Sequence, residues 1–165
     1  YLSTTAVYCV DRETDNTLHF PAKKRLTSKS APTYDCTNSK DAFSVSNSEA
    51  KLTYPIGLMT VDEIRFAGGT ADDYGTTYYY YNSAKGSSTG SINWWLLSPY
   101  SYTNNIAYIF YVYGSSTSGV ISNTGVSDTT VGVRPVISLK SCVKTSGGDG
   151  TANNPYMIEE TTSGC

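Results

Sequence analysis

The chain has 165 residues, with 12 Lys and Arg against 14 Asp and Glu, a net charge of −2, and 13% aromatic against 16% charged residues. That length suits one domain able to bury a core without metals or staples, and the aromatic content excludes overall disorder. Net acidity, with Lys23-Lys24-Arg25 as the one basic cluster, excludes a nucleic-acid surface, and no apolar run nears the roughly 20 residues of a membrane helix.

In chain order, residues 5–10 are rich in β-formers and predict a short strand. Residues 11–48 read as a long, loop-dominated insertion, polar and punctuated by Pro21 and Pro32, of the kind that needs a covalent clamp or a function. Phe20, Leu26 and Phe43 are expected to pin it to the body. Thr60 followed by Glu63 is a capping-box pattern; Ile64 and Ala67 then share a face, and Gly68 or Gly69 suits a helix end. Residues 74–93 predict loop with one irregular strand. The run 94–97 predicts a buried strand ended by Ser98-Pro99. A loop over 100–105, a strand over 106–113, a turn over 114–119, a short strand at Val120-Ile121 and a last strong strand over 131–139 follow. The tail predicts a turn over 146–151 and a final strand over 155–158. Strands crowded into the C-terminal half, with one or two short helices, predict a single α+β domain over 1–165, dominated by antiparallel strands. The chain opens on Tyr1 without a signal-peptide pattern, as expected of a mature or excised portion of a longer protein.

Cys9, Cys36, Cys142 and Cys165 are spread singly, whereas zinc ligands come in close pairs. An even count in a polar, weakly charged chain fits an exported protein with two disulfides. Three pairings are possible, of which proximity in sequence favours Cys9–Cys36 and Cys142–Cys165. The alternative is four reduced thiols in a cytosolic protein. A hydrolase triad needs a histidine-type base, and His19, the one histidine, lies in a loop far from any activated-nucleophile pattern. Asp62-Glu63 reads as a pair of helix-start charges, Asp72-Asp73 as a solvated loop and Asp149-Gly150 as a turn. No glycine pattern for phosphate follows a strand. No catalytic residue, metal or cofactor is therefore expected.

One stretch stands apart. Ten of the fifteen tyrosines lie between Tyr74 and Tyr113, and from Tyr74 to Val133 only Lys85 and Asp128 carry charge. Tyr, Ser, Thr, Asn and Gly with almost no charge is the composition of an antibody paratope. Core packing accounts for Trp94 or Trp95, Leu96, Ile109 and Val112, since strands are naturally aromatic. It does not account for Tyr78-Tyr79-Tyr80-Tyr81, or for Tyr100, Tyr102, Tyr108 and Tyr113 among hydroxyl and amide residues. Residues 74–139 are thus expected to display a ligand surface, with Tyr100, Tyr102 and Tyr108 as anchors. Both alternating sets of 106–113 contain Tyr, so which of them faces outward stays open.

Tyr54-Pro55-Ile56-Gly57-Leu58-Met59-Thr60-Val61-Asp62-Glu63, Trp94-Trp95-Leu96-Leu97-Ser98-Pro99 and Gly132-Val133-Arg134-Pro135-Val136-Ile137-Ser138-Leu139 occur in that order. Together they resemble bacterial and phage domains with a C-type-lectin fold, of the kind related to formylglycine-generating enzymes. Within that group the chain is similar to the variable proteins of diversity-generating retroelements. The Gly148-Asp149-Gly150-Thr151 tail and the Cys9 to Cys36 insertion resemble Firmicutes surface proteins of this sort, and the likeness spans residues 5–158. The resemblance implies a lectin-like fold, a scaffold of Trp94, Trp95, Leu97, Arg134 and Pro135, and a displayed set from the closing strands. That set is Tyr100, Tyr102, Thr103, Asn104, Asn105 and Tyr108, continued by Tyr111, Tyr113, Ser115, Ser116, Asn123 and Asp128. It also implies an extracellular, cell-surface or phage-borne adhesion domain that meets a protein or glycan receptor on another cell. The alternative is a structural surface or pilus subunit whose aromatic face serves assembly. Glu-Pro-Asn, Gln-Pro-Asp and Trp-Asn-Asp triplets are missing, so calcium-mediated sugar binding is not expected. Only Cys142 lies near the closing strand, so thiol-dependent oxidase activity is not expected either.

Overall fold

The structure, a computed structural model, describes residues 1–28, 30–36, 38–71, 78, 81, 93–114, 119–151 and 153–161. It is a mixed α+β fold of short strands and few helices, built on a curled half-barrel sheet. The sheet is made of β4 (Asn93–Thr103), β5 (Ile106–Val112), β6 (Ile121–Gly125) and β7 (Val131–Gly132), in the order β6-β5-β4-β7. The three long strands are antiparallel; β7 runs parallel to β4. Asn104 and Asn105, both at positive φ (50° and 60°), close the β4–β5 hairpin. Two such residues give the turn whose twist matches the strands, and Asn is the non-glycine residue that tolerates it best.

The pleat sorts the sheet residues. Trp94, Leu96, Phe110, Val112 and Ile121 turn inward and join Val61 and Ile64 of α2 (Val61–Phe66), Ala22 of α1 (Pro21–Thr27), Tyr78 and Tyr81 in one core. Helix α2 forms where the sequence predicts it. Thr60 Oγ1 accepts from the Glu63 N–H (3.1 Å) and Glu63 Oε2 accepts from the Thr60 N–H (2.6 Å), closing the capping box. The Val61 N–H then donates to the buried Ser98 hydroxyl (3.0 Å), which ties the helix start to β4. Gly68 takes a positive φ of 101° after the last turn, as a helix end requires.

Four readings of the sequence need correction. The insertion is not all loop: Pro21–Thr27 is a helix with Pro at its first turn, Ala22 buried and Leu26 packed four residues later on the same face. The strand predicted over 94–97 does not stop at Ser98-Pro99 but runs to Thr103, absorbing Pro99 by register shifts on both sides of it. Residues 100–105 are accordingly strand and a two-residue turn rather than loop. The expected strand 131–139 is broken by Arg134-Pro135 into β7, on the main sheet, and β8 (Val136–Ile137), which pairs with β3 (Ile56–Gly57) in a separate ladder. In the tail, β9 (Thr145–Gly147) occupies part of the predicted turn and pairs with β10 (Met157–Ile158).

The insertion is held at four places. Cys9 bonds to Cys36, as proximity favours. Near the amino terminus, β1 (Tyr8–Cys9) pairs with β2 (Ala42–Phe43), directly after a single 3-10 turn (Ser39–Asp41). The Phe20 N–H donates to Tyr100 O (3.3 Å) and the Tyr102 N–H to Leu18 O (3.0 Å), so residues 18–20 line the second edge of β4. Arg25 sits between Asp62 (2.5 Å) and Asp11 (2.8 Å). Burial works against its charge, yet those two carboxylates hold its pKa above the ordinary value. Asp62, buried, is therefore an ion-pair partner rather than only a helix-start charge, while Glu63 closes the box. Cys142 is disulfide-bonded as well; Cys165 lies outside the described residues. No helix among the described residues is long and apolar enough to cross a membrane.

Candidate functional site

The register settles which residues of the tyrosine-rich strands share a face. Trp95 stands opposite Tyr111 and Tyr111 opposite Ser122; Pro99 stands opposite Ile109 and Ile109 opposite Thr124. These rungs alternate with the inward ones, so they form the outer face of the sheet. On that face Trp95 and Tyr111 meet edge to face with centroids 6.4 Å apart, and Tyr111 meets Tyr113 at 6.5 Å. The bulge at Tyr100-Ser101, which together face Tyr108, resets the alternation so that Tyr102, opposite Ala107, also turns outward. Tyr102 and Tyr113 are 44% and 40% exposed. The turn residues Thr103, Asn104 and Asn105, with Ile106, are exposed at the tip. The outer face is thus a run of rings edged by Ser122 and Thr124 hydroxyls and closed by an amide-bearing tip.

The other predicted residues lie elsewhere. Tyr100 turns inward and packs edge-on against Phe110 (5.1 Å), with the Lys23 ammonium 4.3 Å from its ring centroid. Tyr108 stands opposite Ser101 and Gly125 with the parity of Phe110, so it does not share a face with Tyr102. The three expected anchors therefore do not form one patch. Asn123 is opposite Phe110 on the edge strand. Asp128 closes the β6–β7 turn: its carboxylate accepts from the Thr130 hydroxyl (2.6 Å), the Thr130 N–H (2.9 Å) and the Thr124 hydroxyl (3.1 Å). The Thr130 bonds come first among the causes that hold its pKa below the ordinary carboxylate value. Ser115 and Ser116, like Asp72-Asp73 and most of 74–92, lie outside the described residues.

Of the resemblance scaffold, Trp94 is core, with the Arg134 guanidinium 3.7 Å over its ring. Trp95 belongs to the outer face instead. His19 is part of a loop: its backbone N–H donates to Asp15 Oδ1 (3.1 Å), and its Nδ1 lies 2.8 Å from the Thr17 hydroxyl. Among the described residues no group of three His, Cys, Asp or Glu is placed to hold a metal.

Two concavities escaped the sequence reading. A cleft of about 910 Å³ lies between α1, the end of α2 and β6, floored by Tyr100, Phe110, Ile121 and Leu26, with Arg65 and Asn123 on its walls. The 22/26 spacing of the missed helix was its one local signal. A second hollow of about 420 Å³, almost wholly apolar, is lined by Tyr8, Phe43, Leu52, Ile56, Leu97 and Pro135 among others. It is assembled from five separate segments, so nothing local announces it.

Rings, hydroxyls and amides on a rigid sheet can bind by stacking and adaptable hydrogen bonds. No curated protein and no solved structure matches the chain significantly. A family model described as a domain of unknown function, DUF6273, matches residues 25–141, from the last turn of α1 past β8, and the chain belongs to that family.

Proposed function

We propose that the domain is a non-enzymatic ligand- or receptor-binding module, used in adhesion, that presents its outer face to a protein or glycan receptor on another cell. The observation that carries this reading is the run Trp95–Tyr111–Tyr113, joined by Tyr102 on the side of the sheet away from the core. Ring residues give contact area with little side-chain entropy to lose, and the flanking Ser122, Thr124, Asn104 and Asn105 supply hydrogen bonds. The Cys9–Cys36 bridge supports an oxidising, extracellular setting. A C-type-lectin-like fold and retroelement-driven diversification of 74–139 belong to the same proposal, on the strength of the sequence motifs.

The test is binding of the labelled domain to glycan arrays and to intact cells, with Tyr102→Ala, Tyr111→Ala and Tyr113→Ala combined. The folded triple variant should lose binding; full-strength binding by it would sink the reading. Sequencing the coding DNA for 74–139 across a natural population addresses diversification. Substitutions should pile up at adenine positions of outer-face codons while Trp94 and Pro135 stay fixed, and a uniform sequence ends that part.

A second reading, a structural subunit, is favoured by one observation. Val133, Ile137 and Ile56 are 70%, 47% and 43% exposed beside the apolar hollow of Tyr8, Phe43 and Leu97. Sedimentation that stays monomeric over a wide concentration range would remove it.

A further inference from the structure

We propose that the free edge of β6 is a second binding site, which takes an extended acidic peptide as an added strand. The hydrogen-bond phase of β5–β6 carries the argument. The Tyr113 N–H donates to Val120 O (2.8 Å) and the Val126 N–H to Ala107 O (3.0 Å). With that phase, Ser122 and Thr124 make the ladder bonds to β5, and Ile121, Asn123 and Gly125 turn their N–H and C=O groups to the outer edge. Among the described residues, β6 is the last strand on its side of the sheet. At one end of this edge Thr70 O already takes the Ile121 N–H (2.9 Å), so backbone pairing has begun there; at the other, Gly125 O accepts the Asp128 N–H (3.0 Å). Asn123, between them, keeps both its backbone donor and its acceptor open among the described residues. An open pair of this kind is a template for strand addition.

The surroundings set the chemistry of the occupant. The edge borders the cleft of about 910 Å³, whose floor of Phe110, Ile121 and Leu26 accepts an apolar side chain from alternate positions of an added strand. Arg65 is the one charged residue among the described lining residues. Its own acidic neighbour is weakly engaged: Asp62 lies 3.9 Å from Arg65 but 2.5 Å from Arg25, to which it gives both oxygens. Apolar floor, the open Asn123 pair on the strand edge and a loosely paired Arg65 together select an extended segment with alternating apolar residues and a carboxylate.

The experiment is selection of a random peptide library, displayed on phage, against the whole immobilised chain, with Asn123→Pro as the discriminating variant. Proline there removes the outward N–H, together with the carboxamide that Asn123→Ala removes alone, and edge strands tolerate it because the ladder to β5 does not use that N–H. Selected peptides should be rich in Asp or Glu flanked by apolar β-formers, and should bind the variant at least about tenfold more weakly. No enrichment, enrichment without acidic residues, or equal binding to Asn123→Pro overturns the proposal. Should that variant fail to fold, hydrogen exchange on the unmodified chain decides. The Asn123 amide should become protected when a selected synthetic peptide is added, and an unchanged exchange rate refutes strand addition. Retention of this binding by the outer-face triple variant separates the site from the adhesive face.

Discussion

Neighbouring residues on β5 offer the sharpest test of the pleat on which the outer face depends. Phe110 is 1% exposed and packs against Tyr100; Tyr111, next in the chain, is half-buried on the opposite face. Phe110→Ala leaves a ring-sized cavity in the core, a loss of about 3–5 kcal/mol. In a domain whose total stability is about 5–15 kcal/mol, that variant is close to its limit. Tyr111→Ala forfeits two edge-to-face pairs, with Trp95 and Tyr113, worth about 0.5–1.5 kcal/mol each, and leaves the core intact. Urea unfolding of both variants, followed by fluorescence of the adjacent tryptophans, gives the comparison directly. The midpoint for Phe110→Ala should fall much further than that for Tyr111→Ala, with the slope unchanged in both. Equal losses, or a reversed order, would mean that the faces of β5 are assigned wrongly, and the outer site would fall with them.

Three further outcomes follow from the same structure. Cys9→Ser with Cys36→Ser frees a loop spanning 27 residues, which should cost about 3.5 kcal/mol by loop-closure entropy, read as a lowered urea midpoint. A loss under about 1 kcal/mol would show that α1 and the Arg25 ion pair hold the insertion alone. In acid, Asp15 and Asp128 have folded pKa values below the ordinary 3.8, lowered first by hydrogen bonds from Lys24 and Thr130 respectively. Their contribution is therefore complete above pH 3.8 and fades as pH falls through the folded values. Asp15→Asn with Asp128→Asn should lower stability at neutral pH, flatten the profile below pH 3.8 and converge with the unmodified chain in strong acid. Gly57→Ala would set a Cβ 2.7 Å from the Tyr8 ring. That ring is buried, with its hydroxyl within 3.3 Å of both the Pro55 and Val136 carbonyls, so it cannot swing aside freely. The cost should be about 1–3 kcal/mol, and a neutral melt would refute the close approach.

What the sequence disclosed was what is encoded locally. The capping box at Thr60 and Glu63 acts within one turn, so the start of α2 was legible to the residue, while its end falls at Phe66, just before the expected glycines. The α+β class and the strand 106–113 were legible from β-formers between turn residues, since β5 runs Ile106–Val112. Helix α1 was hidden because Pro21 looks like a breaker unless its place in the first turn is known. The site was harder. Tyr100, Tyr102 and Tyr108 appear equivalent in sequence, but the bulge beside Pro99 assigns Tyr100 to the cleft and Tyr102 to the outer face. A bulge depends on the partner strand and leaves no mark in its own residues. For the same reason Asp128, polar and solvent-accessible by composition, proved to be spent on its own turn.

The three sequence motifs behind the resemblance converge on one structural joint, away from the proposed outer-face site. Ile56-Gly57 of the first pairs with Val136-Ile137 of the third. Met59 O accepts the Leu97 N–H (2.8 Å), and the Ser98 hydroxyl receives the Val61 N–H, joining first to second. Arg134 of the third covers the ring of Trp94 of the second. Every link here is a backbone bond, a buried hydroxyl or a stacked cation, and the last two lose their partners if Ser98, Arg134 or Trp94 changes alone. Selection for folding is enough to keep such a set. The rings of Trp95, Tyr102, Tyr111 and Tyr113 are outside the buried core, and the backbone bonds of these residues do not depend on the side chain they carry. Side chains on the outer face can therefore change while the fold stays constant, as the proposed recognition surface on a fixed scaffold requires.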